Sequence, residues 1–201
     1  MWPLAGQRIN QPGGHTEANL IARAKLGDAA AFEQLSSPYA DRIFMLLLRL
    51  LGDRGDAEDV AQEVMLRAWR AIGAFRGTSS YFTWLYRIAV NEANRMLQRR
   101  ARRPPSSPIG PDELQRPATG LVDPALHAES RELREALLSA LRELPTDLRT
   151  AIVLRDIEGL STAEAAQVAG VGQAAFKSRL HQARLRMRAA IGDDALLAGG
   201  G

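Results

Sequence analysis

Ser161-Thr162-Ala163-Glu164-Ala165-Ala166-Gln167-Val168-Ala169-Gly170-Val171-Gly172-Gln173-Ala174-Ala175-Phe176-Lys177-Ser178-Arg179-Leu180-His181 reads as two short helices joined by a tight turn. Ser161 and Glu164 have the S-x-x-E spacing of a capping box, in which each side chain satisfies a backbone amide at the start of a helix. That predicts a helix over Thr162–Ala169. Gly170 supplies the left-handed residue that ends it. After Val171-Gly172-Gln173 a second helix carries Lys177, Arg179, His181, Arg184, Arg186 and Arg188. Ala166, Val171, Phe176 and Leu180 are spaced to pack the pair together. The second helix of such a pair fits the major groove, its early residues reaching base edges and its later cations the phosphates. A solvated basic helix in an ordinary bundle is the competing reading.

The rest of the chain also reads as helical. Asp28 is expected to cap a helix in which Phe32, Leu35, Tyr39, Ile43, Leu47 and Leu50 recur at three- or four-residue spacing, ending at Gly52. A second helix from near Asp56 carries Val60, Val64, Met65, Trp69 and Ile72. Gly73 to Ser80 is a loop, and a third helix from about Tyr81 to Arg103 buries Leu85, Ile88, Ala89 and Met96. Residues 104–122 are rich in Pro, Ser and Gly and predict an extended linker. Asp123-Pro124 restarts structure as N-cap and first helical residue. Leu133, Leu137, Leu141 and Leu144 stripe that helix, and Pro145 begins another with Leu148, Ile152 and Ile157. No run alternates as a strand does. The expected fold is all-α, with two small helical domains joined by a flexible linker. Its parts are a disordered N-terminus (1–16), a first domain (17–103), a linker (104–123), a second domain with the helix-turn-helix (124–192) and a flexible tail (193–201).

Composition narrows the function. The 201 residues are 46% hydrophobic and 24% charged, which excludes wholesale disorder. The absence of cysteine excludes a disulfide framework, a thiolate metal site and a cysteine nucleophile. The longest apolar run, Ile43 to Leu48, stops at Arg49, far short of the roughly 20 residues of a membrane span. With no secretory pattern at the N-terminus, a cytoplasmic protein without membrane insertion is expected. His15, His127 and His181 are scattered, and no phosphate loop or marked carboxylate pair is present. Neither an enzyme nor a metal or other cofactor is expected.

The net charge of +3 is unevenly spread. Residues 129–166 carry five basic and eight acidic groups, and residues 167–201 five basic and two acidic. Cationic patches beside acidic ones suit a polyanion partner and a second, different surface. In the first half, Arg87, Asn91, Asn94, Arg95, Gln98, Arg99 and Arg102 recur as one polar, mainly cationic face. Next to it stand the loop Phe75-Arg76-Gly77-Thr78-Ser79-Ser80 and then Tyr81, Phe82, Trp84 and Tyr86. Aromatics beside a cationic track suit unstacked bases, whereas the plainer reading places Phe82 and Trp84 in the core. Asp56, Asp59 and Glu63 form an acidic stripe with Gln62 adjacent, which would repel DNA and suits a basic protein surface. Against that stands solvated charge with a Glu63–Arg67 pair at i, i+4.

In this order the features resemble one family. Asp56-Ala57-Glu58-Asp59-Val60-Ala61-Gln62-Glu63-Val64 resembles the polymerase-clamp helix of bacterial sigma factors of the extracytoplasmic-function (ECF) group. Phe75-Arg76-Gly77 and Thr83-Trp84-Leu85-Tyr86-Arg87-Ile88-Ala89-Val90-Asn91 resemble its promoter-melting and minus-ten-reading segment. Leu144-Pro145, Asp147-Leu148-Arg149, Glu158-Gly159-Leu160-Ser161 and Lys177-Ser178-Arg179-Leu180-His181 resemble the domain that reads the minus-thirty-five element. The likeness spans about residues 17–192, and Arg102-Arg103-Pro104-Pro105-Ser106-Ser107 looks like the envelope-stress, sigma-E type.

The resemblance implies a factor that directs core RNA polymerase to promoters and promotes strand opening. The β′ clamp would meet Asp56, Asp59, Val60, Gln62 and Glu63, and the β flap is a further implied contact on core RNA polymerase. The minus-ten DNA would meet Phe75, Ser79, Ser80, Arg87, Asn91, Arg95, Arg99 and Arg102: the loop after Phe75 would capture a base flipped from the non-template strand, Asn91 would help form that pocket, and Arg95, Arg99 and Arg102 would hold backbone near the duplex–bubble junction. The minus-thirty-five duplex would meet Lys177, Ser178, Arg179, His181, Gln182, Arg184 and Arg186. An anti-sigma factor is an implied partner. Gly172-Gln173-Ala174-Ala175-Phe176 departs from the family's usual Pro-Val-Gly-Thr-Val, and Gln182 stands where Arg is common, so the upstream sequence cannot be borrowed from relatives. The alternatives are a stand-alone helix-turn-helix regulator and a polymerase-binding protein that has lost promoter reading.

Overall fold

The computed structural model describes residues 16–102 and 136–198, with side chains as far as Ile191. The expected N-terminal disorder at 1–15, the linker at 104–122 and the helix start at Asp123-Pro124 lie outside the described residues. Within them the chain is all-α, with no strand.

Helix α1 (Glu17–Lys25) starts at Thr16, whose hydroxyl accepts from the Asn19 amide. Asp28 caps α2 (Ala29–Ser36) by accepting from the Ala31 amide at 3.0 Å. Its other oxygen takes both Nε and Nη2 of Arg23, at 2.9 and 2.7 Å, which ties α1 to α2. The single helix expected from Asp28 to Gly52 is interrupted. Pro38 sits in a 3-10 turn (Ser37–Tyr39), and α3 (Ala40–Leu51) begins beyond it. Proline lacks the amide hydrogen and its ring crowds the preceding turn. The apolar period continues across the break, which is why the pattern looked continuous. Gly52, with φ +72°, ends α3 by returning its amide to the Leu48 carbonyl.

Helix α4 (Arg54–Ala71) opens two residues before the expected start, because Asp53 accepts from the Asp56 amide at 2.8 Å. A 3-10 turn (Ile72–Ala74) and a loop lead to α5 (Tyr81–Ala101), capped by Ser80. In the C-terminal half, residues 136–143 are helical (α6). Then come α7 (Thr146–Ile152), continued by a π turn (Val153–Ile157), α8 (Thr162–Ala169) and α9 (Gln173–Ala198). The backbone of α9 continues past residue 192, where the sequence suggests the domain ends.

One buried cluster runs through both halves. Ile43, Leu46, Val64 and Leu85 lie in it from the first, and Val153, Leu154 and Phe176 from the second. Each such side chain contributes about 1.5–3 kcal/mol on leaving water. The seam between the halves is also polar. Arg149, 9% exposed, donates from Nη1 to the Leu50 carbonyl at 2.6 Å and from Nη2 to the carbonyls of Leu144 and Arg142. Burial, helped by nearby Arg142, pulls its pKa below the usual guanidinium value.

Candidate nucleic-acid and polymerase interface

On α4, Ala57, Val60, Val64 and Ala68 form the stripe that packs into the core. Asp59 and Gln62 fall on the opposite, exposed side, and Glu63 is half-buried beside them. Two residues expected on this surface are corrected. Val60 is only 4% exposed, because it shares the core stripe with Val64. Asp56 is turned toward α5, where it pairs with Arg100 Nη2. Glu63 accepts from Arg67 Nε at 2.6 Å, the pair that the i, i+4 spacing predicted. The same nitrogen lies 3.2 Å from Glu92 of α5, whose side chain is 6% exposed. The acidic helix is thus cross-braced to the cationic one at two places. Leu66, one turn beyond Gln62 and 50% exposed, was not anticipated on this face.

The loop after the 3-10 turn folds over the start of α5, with Gly77 at φ +69° making the bend. It encloses a pocket of about 180 Å³ lined by Phe75, Arg76, Ser79, Thr83, Trp84 and Arg87, together with Gln167 from α8. Phe75 is 5% exposed, so it is a wall of this pocket and not a free stacking platform. Its ring stands edge-on to Tyr81 and 5.2 Å from Trp84, an aromatic packing that holds it in place. Tyr81 is anchored below by a 2.7 Å hydrogen bond to Ser36, and burial pushes its pKa up to about 12. The Ser80 hydroxyl accepts from the Thr83 amide at 3.1 Å and is committed to capping α5.

Arg87 and Asn91 are exposed on successive turns of α5, so the polar face leads away from the pocket mouth. Further along, Arg95 is held by Glu92 at 2.8 Å, and Arg99 and Arg102 are exposed. The structure therefore brings together Phe75, Ser79 and Arg87 in the pocket, with Asn91 one turn on. Thr83 and Arg76 were missed as lining, and Trp84, packed against the core as the plainer reading has it, also walls the pocket. The Ser80-x-x-Thr83 cap spacing was the available signal for Thr83.

The C-terminal helix pair forms as the capping box dictates. Ser161 Oγ accepts from the Glu164 amide at 3.2 Å, while the Glu164 carboxylate accepts from the Ser161 amide at 2.9 Å. Gly170 takes φ +69°, and Val171 returns its amide to the Ala166 carbonyl at 3.0 Å. Phe176, Leu180 and Ala183 turn one face of α9 inward. Lys177, Ser178, His181, Gln182 and Arg186 are exposed on the other. Arg179 and Arg184 are drawn back onto this half. Arg179 lies 3.4 Å from Asp147, and Arg184 is gripped by both oxygens of Asp156 at 2.8 and 2.6 Å. That carboxylate raises the Arg184 pKa further. The π turn places Asp156 against α9, which a sequence read as regular helix does not indicate.

Among the described residues no helix is long and apolar enough to cross a membrane, and no acidic or histidine cluster is placed to hold a metal ion.

Residues 35–103 match the family model of sigma-70 region 2, and residues 134–187 match that of sigma-70 region 4. The chain is 36% identical to the RNA polymerase sigma-H factor of Pseudomonas aeruginosa, over 84% of this chain and 90% of that protein. It is 38% identical to the ECF RNA polymerase sigma-E factor of Escherichia coli K12, over 84% and 91%. CnrH, solved in complex with the cytosolic domain of CnrY, superposes with a TM-score of 0.61 at 26% identity, covering 90% of this chain and 97% of that one. The sigma factor RpoE of Bartonella quintana, solved with the anti-sigma factor NepR, superposes at 0.61 with 25% identity, covering 80% and 96%. The acidic helix, the pocket and the helix-turn-helix fall inside the two matched regions, and the chain belongs to the extracytoplasmic-function group of sigma-70 family transcription-initiation factors.

Proposed function

We propose that the three surfaces divide the work of initiation. The exposed face of α4, with Asp59, Gln62, Glu63 and Leu66, binds the basic β′ clamp of core RNA polymerase. The pocket walled by Phe75, Trp84 and Arg87 takes a base flipped out of the melted non-template strand, and Asn91, Arg95, Arg99 and Arg102 follow the strand away from it. Lys177, Ser178, His181 and Gln182 read the minus-thirty-five duplex, with Arg186 on phosphate, and the β flap meets the same half. Asp56 and Val60 act from within, by fixing the helix. The catalysis of nucleotide addition belongs to the polymerase. This chain supplies binding energy that offsets unstacking, about a few kcal/mol per flipped base. The solved complex of the Bartonella quintana sigma factor RpoE with the anti-sigma factor NepR supports control by an anti-sigma factor.

The observation that carries this reading is the aromatic-walled pocket opening onto the Arg87–Asn91 face. A stand-alone regulator has no use for such a pocket or for an acidic helix beside it. Asn91→Ala and Arg87→Ala should lower open-complex formation at least tenfold more than closed-complex binding, about 1.4 kcal/mol of selective loss. Permanganate reactivity of unpaired thymines in the holoenzyme reports it. Asp59→Arg with Glu63→Arg should instead remove core binding while circular dichroism stays unchanged. Equal loss of open and closed complexes would reduce Arg87 and Asn91 to general DNA contacts.

A further inference from the structure

A base held in the Phe75 pocket leaves a sugar–phosphate strand running out on both sides of it, and the polar face of α5 serves one side only. Arg87, Asn91 and the cations beyond them lead toward the duplex–bubble junction. The strand on the other side continues toward the transcription start and leaves across the wall made by Ala74 and Phe75. Beside that wall stands α1, which packs on the 3-10 turn Ile72–Ala74. Its last residue, Lys25, reaches over the Phe75 ring, with Nζ 5.9 Å from the ring centroid. Lys25 is not part of the pocket lining, so it meets the ring from outside.

Lys25 and its neighbour Leu26 stand on a braced corner between α1 and α2. The Leu26 amide returns to the Arg23 carbonyl at 2.9 Å, the Gly27 amide to the Ala24 carbonyl at 3.0 Å and the Asp28 amide to the Arg23 carbonyl at 3.2 Å. Gly27, at φ +90°, makes the bend. Leu26 is 89% exposed, more than any other large hydrophobic side chain among the described residues. Lys25 is exposed too and makes no ion pair among the described residues, whereas Arg23 is held by Asp28. One exposed leucine is ordinary on a protein surface. Its place beside an unpaired ammonium, at the exit of a strand pocket, is not. Single-stranded DNA offers what both groups need, a phosphate for the ammonium and a base face for the leucine. Leucine is among the apolar side chains that part neighbouring bases in DNA complexes.

We propose that the α1–α2 corner is a second strand subsite, in which Lys25 holds the phosphate downstream of the flipped base and Leu26 packs against the next base. With cations on both sides of the pocket, the flipped nucleotide is pinned at each end and does not slip back into the stack. Leu26 keeps the following base apart from it. The inference rests on the reading of the Phe75 pocket as the strand site.

The test uses holoenzyme and two fluorescent non-template oligonucleotides from a promoter selected with it. One ends at the flipped base, located by 2-aminopurine fluorescence, and the other continues several nucleotides downstream. Lys25→Met should weaken anisotropy-measured binding of the longer strand about two- to fivefold, the worth of one exposed charge pair. It should lower the salt slope by about 0.7 unit and leave the shorter strand unchanged. Lys25→Arg should keep the original affinity. An uncharged methylphosphonate at the downstream phosphate should cost the original sequence the same factor and cost Lys25→Met nothing further. Leu26→Ser should also weaken only the longer strand, and an abasic site at the next position should abolish that difference. Equal loss on both lengths would reduce Lys25 to a prop for Phe75 and overturn the subsite. No loss on either length, with Arg87→Ala weakening both, would overturn the subsite and leave the pocket reading standing. If Arg87→Ala also changes neither, the pocket reading falls and the subsite with it. Weaker core-polymerase binding by Leu26→Ser, with strand affinity of the holoenzyme unchanged, would make the corner a protein contact and overturn the proposal.

Discussion

All three tyrosines of the chain sit in environments that disfavour the phenolate. Burial pushes Tyr81 up to about 12. Burial and then the Glu158 carboxylate push Tyr86 higher still, and burial followed by Glu17 raises Tyr39. A phenol whose folded pKa lies above its unfolded value of about 10 stabilises the fold below pH 10, and that contribution is lost as pH rises through the folded value. Absorbance at 295 nm should therefore show less tyrosinate at pH 10.5 in the native chain, where Tyr81 and Tyr86 stay protonated, than in urea, where more than half is ionised. Loss of helicity should set in between about pH 10 and 12. A native titration near 10 would mean that the burial of Tyr81 and Tyr86 does not persist in solution. Gln182, exposed on the reading face of α9, gives a second test. Gln pairs with adenine where Arg pairs with guanine. Gln182→Arg should move the selected minus-thirty-five element toward guanine at one position, whereas Arg186→Ala should weaken all sequences alike and lower the salt slope by roughly one unit. Selection from a randomised upstream library at two salt concentrations distinguishes them.

At the level of elements, the caps carried most of what the sequence could say. Ser161-x-x-Glu164, Gly170, Ser80 and Gly52 announce helix ends through chemistry local to a few residues, and each acts as its type predicts. Ser161→Ala should cost about 1 kcal/mol. It should lower duplex binding with the thermal midpoint, and a Gly replacement should restore part of both. A full-strength binding curve for Ser161→Ala would show that α9 is positioned without α8. Pro38 was readable too, but the unbroken apolar period outvoted it. Less was legible where a side chain's direction depends on a neighbour from another part of the chain. Val60 and Asp56 sit on a helix whose acidic face is plain in the sequence, yet which of its residues face inward is set by α5. Arg184 looks like any other cation of α9 until the π turn brings Asp156 against it. The pocket residues Thr83 and Arg76 were hidden for the same reason, since a concavity is made by the loop folding back.

For the whole molecule, the sequence indicated two helical units and a strap but not that they share a core. Nothing in local pattern tells Leu154 or Tyr86 which unit will cover it. The shared core leads to an expectation for the chain cut within residues 104–122. The two fragments should co-migrate in gel filtration at high concentration and separate on dilution, because cutting a linker removes an effective concentration in the millimolar range. Fragments that run separately at every concentration would show that the seam is too weak to matter without its tether. The same cut chain should lose promoter-specific transcription, since both reading heads must then find the polymerase independently.

Part of that seam consists of backbone. The Arg149 guanidinium ends on the carbonyl of Leu50, and two residues on, Gly52 presents a bare Cα where a methyl would come within 3.0 Å of Arg142. A carbonyl belongs to whatever residue occupies its position. Side-chain scanning of α3 will therefore score Leu50 only for its apolar packing and stay blind to the bond it makes. Replacing the amide between Leu50 and Leu51 by an ester weakens that acceptor, removes the Leu51 amide donor within α3 and leaves every side chain in place, so that comparison with an ester elsewhere in α3 would make the bond visible.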